Sequence, residues 1–240
     1  MSSQQITRGG EYTDESLEQL ELKSTEASQD HLYYALDYVV KMLDDAGIKY
    51  AVMGGVSMQL RGFYERTTQD IDLAVDVKMR DLLSMLAQHG RIWRPRPIAA
   101  STGVARCFVL TGPEYEENLP TSIPVEVDFI LSGNLGAPKD ITRGSIRMDV
   151  VTPLGVRGYN ILNLMSIFTA KLRSYSTRWA EKDYSDLEWM VFNHSQEVEG
   201  FADDLNWDER HAFINGVAES GNYSEEGLNF IRRTLHLAER

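Results

Sequence analysis

The sequence feature that constrains the fold most is the stretch from Tyr50 to Asp76, which reads YAVMGGVSMQLRGFYERTTQDIDLAVD. A short apolar run is followed by two glycines, and a polar segment then leads to a second apolar run that contains two aspartates. Apolar runs of this length bounded by glycine and polar residues are typical of strands. The stretch therefore predicts a buried strand, a turn into a brief helix, a polar loop and a second strand.

Asp70 and Asp72 are separated by one residue in the second run. On a strand they point to the same face, while Ile71 and Leu73 point to the other face and into a core. Carboxylates that share a face of an apolar strand repel each other and are costly to bury unless a cation lies between them. A divalent metal ion is the simplest explanation of this pattern. The alternative is that Asp70 caps a turn while Asp72, and Asp128 later in the chain, make buried hydrogen bonds.

Gly54 and Gly55 precede the brief helix. Glycines permit a backbone turn whose N–H groups, at the start of a helix, approach a phosphate closely. A tight corner between strand and helix would need the same glycines, so the pair alone does not discriminate between the two interpretations. A phosphate turn combined with metal-binding carboxylates indicates nucleotide chemistry.

The glycine pair followed by Arg66-x-Thr68-x-Asp70-Ile71-Asp72-Leu73 resembles the nucleotidyltransferase superfamily that includes DNA polymerase β. More narrowly, it resembles the minimal enzymes related to abortive-infection toxins of the AbiEii type. A third acid in VEVDFI and the segments FTAKLRS and EKDYSDLEW extend the resemblance over residues 48–192. The resemblance implies an α+β fold, with a nucleotidyltransferase-like mixed β-sheet flanked by helices and a helical C-terminal extension.

The same resemblance assigns catalytic and metal-binding roles to three carboxylates, those of Asp70, Asp72 and Asp128. They are expected to hold two Mg²⁺ ions, one on the triphosphate of a nucleoside triphosphate and one that lowers the pKa of an acceptor hydroxyl. Glu126 shares a strand face with Asp128, so it is either an alternative ligand or a residue at a solvated end of the strand. Arg66 is expected either to position the metal strand or to contact phosphate, unless it is only an exposed loop residue.

Further nucleotide contacts are implied by the resemblance at Ser57, Lys171, Asp183 and Asp186. The Ser57 hydroxyl would donate to the β- or γ-phosphate, although the family often has Ser or Thr directly after the glycines, where this chain has Val56. The alternative for Ser57 is a helix cap. Lys171 would contact phosphate, or it is a solvated lysine on an amphipathic helix. Asp183 and Asp186 would lie near the nucleotide or orient the lysine, or they are surface acids.

The chain is expected to contain an N-terminal tail, a core and a helical C-terminal part. Residues 1–30 hold two basic and seven acidic residues and few aromatics, which predicts a mobile acidic tail. Residues 31–160 would form the nucleotidyltransferase-like core and residues 161–240 a helical part packed on it. RIWRPRP, residues 91–97, mixes arginines with an aromatic residue, as nucleic-acid surfaces do, or it forms a solvated edge strand.

The net charge of −12 argues against tight non-specific binding of nucleic acid. Cys107 is the only cysteine, which excludes an internal disulfide and fits a reducing, cytoplasmic compartment. No apolar run approaches the roughly 20 residues of a membrane span. The sequence has no GxSxG, Walker lysine loop or Rossmann glycine triplet, which removes the common hydrolase, P-loop and dehydrogenase interpretations.

These features predict a Mg²⁺-dependent nucleotidyltransferase that moves a nucleoside monophosphate from a nucleoside triphosphate to an acceptor hydroxyl or phosphate. The acceptor is left open among tRNA, a protein side chain and a small molecule. One alternative is a non-catalytic module that binds nucleotides or RNA on the same fold. Another is a tRNA-dependent transferase with different transfer chemistry, because a fold alone does not determine a reaction.

Overall fold

A computed structural model describes residues 8–96 and 103–237 of the chain. The chain divides into two compact units, Met1–Leu162 and Asn163–Arg240. The division falls next to the boundary that the sequence predicts after residue 160. Each unit has its own buried residues.

The first unit alternates helices and strands. Its described helices are α1 (Asp14–Ser24), α2 (Gln29–Asp45), α3 (Gly54–Leu60) and α4 (Met79–Leu86). Its described strands are β1 (Tyr50–Met53), β2 (Asp70–Val75), β3 (Ile92–Trp93), β4 (Val104–Thr111), β5 (Ile123–Leu131), β6 (Ser145–Thr152) and β7 (Gly155–Leu162). The succession of β1, α3 and β2 is the strand–helix–strand arrangement that the sequence predicts.

The strands of the described residues form one mixed sheet in the order β3-β4-β5-β2-β1-β7-β6. β1 pairs with β2 in antiparallel and with β7 in parallel orientation, and β2 pairs with β5 in parallel orientation. The hairpin of β6 and β7 and the antiparallel pairs β3–β4 and β4–β5 extend the sheet at its two sides. The aspartate-bearing β2 is therefore the central strand.

One face of the sheet packs on α2 and forms the main core. Leu36 and Leu43 of α2 belong to the same buried cluster as Ile71 and Leu73 of β2 and Phe129 of β5. All five are fully buried, and burial of each such side chain is worth about 1.5–3 kcal/mol. Strand alternation turns the residues between them, including the aspartates, toward the opposite face.

The N-terminal segment packs against that opposite face, which differs from the mobile tail predicted for residues 1–30. Thr13 and Ser16 form a capping box that begins α1, and Leu20 is fully buried. The Tyr12 ring packs edge-on against Phe108 of β4, at 6.1 Å between ring centroids. The buried Leu20 and the packing of the half-buried Tyr12 outweigh the acidic composition from which mobility was predicted. Residues 1–7 lie outside the described residues.

Arg91 and Arg94 of RIWRPRP contact other side chains of the protein, Arg96 is exposed, and Ile92–Trp93 is the edge strand β3. The Arg91 guanidinium pairs with the buried Glu116 carboxylate and lies 4.6 Å from the ring centroids of Tyr38 and Tyr115. Arg94 Nη1 is 2.6 Å from Glu11 Oε1. These contacts support the edge-strand interpretation of the segment. Pro97 lies outside the described residues.

The second unit is helical in its described part. It contains α5 (Leu164–Arg178), α6 (Glu181–Asn193), α7 (Ser195–Phe201), a 3-10 turn (Ala202–Asp204), α8 (Trp207–Ser220) and α9 (Glu225–Thr234). Tyr175, Tyr184 and Phe213 pack with ring centroids 5.8–5.9 Å apart and hold α5, α6 and α8 together. Of the helices in residues 8–96 and 103–237, none combines the length and the apolar character needed to cross a membrane.

Candidate active site

Four carboxylates line one face of the paired strands β2 and β5. The parallel register sets Asp70 beside Glu126 and Asp72 beside Asp128. Residues paired in this way point to the same side of a sheet, and their strand neighbours Ile71 and Val127 are fully buried in the core on the other side. We call Asp70, Asp72, Glu126 and Asp128 the acid face. The structure places all three predicted metal ligands on it.

Gly54 lies directly against Asp72. Its φ of 63° falls in the left-handed region, which other residues rarely adopt. A Cβ atom at this position would lie 1.9 Å from Asp72 Oδ2. The first glycine of the pair is therefore required by the approach of a carboxylate as well as by the turn into α3.

Gly55 makes room for the residue that positions Asp70. A Cβ atom on Gly55 would lie 2.6 Å from Thr68 Oγ1. The Thr68 hydroxyl donates a hydrogen bond of 2.6 Å to Asp70 Oδ1. The sequence motif had grouped Thr68 with the site, and the structure gives the contact through which the threonine orients an exposed carboxylate.

The other predicted contacts of this region, Ser57 and Arg66, are engaged with backbone. Ser57 is fully buried, and its hydroxyl donates to the Gly54 carbonyl oxygen at 2.9 Å. This bond fits the alternative in which the serine stabilises the first turn of α3. Arg66 is half-buried in the loop before β2, and its guanidinium donates to the Thr67 carbonyl oxygen. Its backbone oxygen accepts from Gln59 Nε2 at 2.5 Å.

Arg106 of β4 is a charged residue of the site that the sequence reasoning missed. It is paired with Asp128 in the antiparallel register of β4 and β5. Its Nε atom lies 2.9 Å from Glu126 Oε1 and 3.3 Å from Asp128 Oδ1, and Nη1 lies 2.8 Å from Glu21 Oε1. The available signal was a lone arginine within the apolar run VARCFVL. Nothing in that run indicates which acids it meets, because the register of β4 on β5 is set by tertiary structure.

The crowding of carboxylates changes the titration of Glu126. The pKa of Glu126 is raised to about 7, chiefly because the carboxyl group is buried; Arg106 lowers this pKa, and the nearby Asp128 and Asp70 raise it. Burial lowers the pKa of the Arg106 guanidinium, but the carboxylates of Asp128, Glu126 and Glu21 together raise it above its ordinary value. Arg106 is therefore a permanent positive charge beside a partly protonated Glu126.

Lys171, Asp183 and Asp186 meet in the second unit. Lys171 Nζ on α5 lies 3.2 Å from Asp183 Oδ1 and 2.7 Å from Asp186 Oδ2 on α6. Both aspartates are fully buried, and Arg178 also contacts Asp183, with Nη2 2.7 Å from Oδ2. The alternative of surface acids does not describe these residues. Their contacts hold α5 against α6, and the aspartates orient the lysine.

The donor chemistry of the acid face suits a hard divalent cation, since it consists of carboxylate oxygens on adjacent strands. Asp70 and Asp72 fit such an ion by donor type and shared face. Both oxygens of Asp128 accept hydrogen bonds from Arg106, at 3.3 and 3.5 Å. Within residues 8–96 and 103–237, no three side chains of His, Cys, Asp or Glu are grouped so that they could hold a metal ion.

Comparison with solved structures identifies the fold. The chain is similar to an antigenic nucleotidyltransferase-like protein from Paracoccidioides brasiliensis, with 19% identity and a TM-score of 0.53 over 84% of this chain and 94% of that one. It also matches JHP933 from Helicobacter pylori, with 14% identity and a TM-score of 0.45 over 94% and 92% of the two chains. A tRNA nucleotidyltransferase complexed with a primer tRNA and an incoming ATP analog matches with 13% identity and a TM-score of 0.29, over 83% of this chain and 59% of that one. No protein-family model and no curated protein matches the sequence.

The likeness to the Paracoccidioides protein shows that this chain has a nucleotidyltransferase-like fold. The predicted fold class, a mixed sheet flanked by helices with helical structure toward the C-terminus, is confirmed. At this level of identity the likeness concerns the fold alone.

Proposed function

We propose that the protein is a Mg²⁺-dependent nucleotidyltransferase, of the AbiEii-like type that its motif resembles. It would transfer a nucleoside monophosphate from a nucleoside triphosphate to an acceptor hydroxyl or phosphate on tRNA, a protein or a small molecule. The observation that carries the proposal is the register of β2 on β5, which aligns Asp72 with Asp128 on one face beside the glycine corner. Cytoplasmic location is part of the proposal and fits the buried free thiol of Cys107.

The residues of the acid face have separate tasks in this reaction. Asp70 and Asp72 would hold Mg²⁺, which when bound neutralises charge on the triphosphate. Thr68 keeps the Asp70 carboxylate in place through its hydrogen bond, and Gly54 lets Asp72 reach the corner between β1 and α3. Gly54 and Gly55 would leave their backbone N–H groups open to phosphate oxygens. Such a site acts by positioning and charge stabilisation, which needs few side chains.

The other residues predicted for the site also have roles in the proposal. Asp128 would complete the carboxylate set, and Arg66 would steady the loop that leads to Asp70. Ser57 serves the turn of α3. The phosphate contact of Lys171 stays a prediction, since its ammonium group is held by Asp183 and Asp186.

One observation favours a second candidate function, a non-catalytic module that binds nucleotides or RNA. The third carboxylate is engaged by a guanidinium instead of standing free for an ion. A protein that used the fold only for binding would tolerate this arrangement. The two candidates differ in one measurable respect, which is the formation of a covalent product.

The discriminating experiment incubates the full chain with each radiolabelled nucleoside triphosphate, Mg²⁺, and separate pools of protein, RNA and metabolites. We expect label to be incorporated into one pool, and Asp70→Asn to abolish incorporation while the variant stays folded. Asp76→Asn, which removes an exposed carboxylate just beyond β2, is the matched control and should retain activity. Nucleotide binding without incorporation into any pool would support the binding module. Equal incorporation by Asp70→Asn and the parent would refute the proposed chemistry.

A further inference from the structure

Arg106 is the positively charged side chain that lies beside Asp128 on the acid face. Its Nε and Nη2 atoms reach the two oxygens of Asp128, and its Nε is also 2.9 Å from Glu126 Oε1. The half of the acid face formed by Glu126 and Asp128 is thus already supplied with a positive charge from β4.

Several contacts fix Arg106 in this position. Its backbone is held in the β4–β5 ladder opposite Asp128, and its carbonyl oxygen accepts a hydrogen bond of 2.9 Å from the Tyr12 hydroxyl. Its Nη1 atom is 2.8 Å from Glu21 Oε1 on α1, which is anchored by the fully buried Leu20. The guanidinium therefore has carboxylate partners on two sides, and an arginine does not lose its charge by deprotonation in proteins.

Asp70 and Asp72 form the other half of the acid face, next to the glycine turn. Asp70 accepts from the Thr68 hydroxyl, and Asp72 lies against Gly54 at the corner of β1 and α3. The ion pairs of Arg106 within the described residues go to Glu21, Glu126 and Asp128. Asp70 and Asp72 together form a pair of hard oxygen donors next to the glycine turn.

We propose that Arg106 is a built-in cation of the site, so that the acid face binds one divalent ion, at Asp70 and Asp72, and not two. A second dication beside Asp128 would have to approach a fixed guanidinium of the same sign and displace its hydrogen bonds. A guanidinium at this position also suits an oxyanion, because its planar donors match two oxygens at once. This inference rests on the proposed function, because it concerns the same carboxylates, and it differs from the expectation of two Mg²⁺ ions.

The same geometry assigns a task to the N-terminal segment. Glu21 of α1 and the Tyr12 hydroxyl both hold Arg106, so residues that the sequence assigned to a mobile tail support the charge beside Asp128. Tyr12 and Glu21 are positioning residues, since they act through Arg106.

The test counts the Mn²⁺ ions that the full chain binds, by the loss of the electron paramagnetic resonance signal of free Mn²⁺ during a titration. We expect one bound ion per chain for the parent and none for Asp72→Asn. Arg106→Gln should bind a second ion. Arg157→Gln is the control, because Arg157 is equally exposed, 42% against 43%, and forms an ion pair with Asp37 away from the acid face. That variant should bind one ion, as the parent does.

The outcomes separate this inference from the proposed function. Two ions on the parent, or one ion on a folded Arg106→Gln variant, would overturn the built-in cation and leave the nucleotidyltransferase proposal standing. No saturable binding by the parent, or unchanged binding by Asp72→Asn, would remove the metal site on which both rest. If Arg106→Gln does not fold, Arg106→Lys keeps the charge and should bind one ion, and two ions on that variant would also contradict the inference.

Discussion

Gly54→Ala tests the corner of the site most directly, because the glycine has two separate reasons to be there. Its φ of 63° is unfavourable for alanine, and its Cβ position lies 1.9 Å from Asp72 Oδ2. Gly47 offers a matched control in the same unit. It has a φ of 65°, and among the described residues no atom beyond its chain neighbours lies within 4 Å of its Cβ position. The pair separates backbone strain from displacement of the carboxylate.

The expected magnitudes follow from these two terms. Placing alanine in the left-handed region costs about 1–2 kcal/mol at either position. At Gly54 the overlap also forces Asp72 out of its rotamer, which adds about 0.5–1.5 kcal/mol. We therefore expect Gly47→Ala to lower the free energy of unfolding by about 1–2 kcal/mol and Gly54→Ala by about 1.5–3.5 kcal/mol. Both losses are small enough for a typical domain to stay folded.

The decisive difference is expected in the chemistry. Urea denaturation measures the stability of both variants, and Mn²⁺ binding and nucleotide transfer are measured on the folded proteins. Gly47→Ala should keep both activities, whereas Gly54→Ala should lose Mn²⁺ binding and transfer, because its methyl group displaces Asp72. A Gly54→Ala variant that binds and transfers like the parent would refute the role assigned to the Gly54–Asp72 contact.

Three further perturbations test other parts of the account. Lys171→Met leaves two fully buried aspartates without their shared lysine and should cost about 3–5 kcal/mol in urea denaturation. Arg173→Met, at a side chain 76% exposed on the same helix, should cost under about 0.5 kcal/mol, and equal costs would contradict the buried cluster. Leu20→Ala should lower the free energy of unfolding by about 2–5 kcal/mol, and an unchanged value would show that α1 is not docked. Glu126→Gln mimics the protonated carboxyl, whose pKa is raised to about 7 from 4.5. The stability that the raised pKa contributes to the parent is fully present below pH 4.5 and is lost as the pH rises through 7. The free energy of unfolding of the variant should therefore exceed that of the parent by about 2–3 kcal/mol at pH 8. A difference in free energy of unfolding that stays constant between pH 4 and pH 8 would contradict the raised pKa.

The sequence predicts those features of the site that depend on neighbouring residues in the chain. Alternation along β2 fixes which residues face the core, and Gly54 and Gly55 mark the corner before α3. For these features a single strand and a single turn contain the necessary information. The third carboxylate was found through a motif, and its alignment with Asp72 depends on the pairing of β2 with β5.

The features that the sequence did not predict depend on contacts between distant segments. Arg106 and Glu21 are separated by 85 positions, and their ion pair forms only when α1 lies on the acid face. The composition of the N-terminal segment indicated mobility, because a single buried leucine weighs little in a count of charges. Similarly, the burial of Asp183 and Asp186 follows from the packing of α5 on α6, which helical periodicity does not show.

The central claim is that the acid face binds a nucleotide through a divalent ion. Isothermal titration calorimetry of ATP with and without Mg²⁺, on the parent, Asp72→Asn and Asp76→Asn, tests it most directly. We expect saturable binding that requires Mg²⁺ in the parent and in Asp76→Asn, and its loss in Asp72→Asn. Binding that is independent of Mg²⁺, or equal in the parent and Asp72→Asn, would contradict the claim.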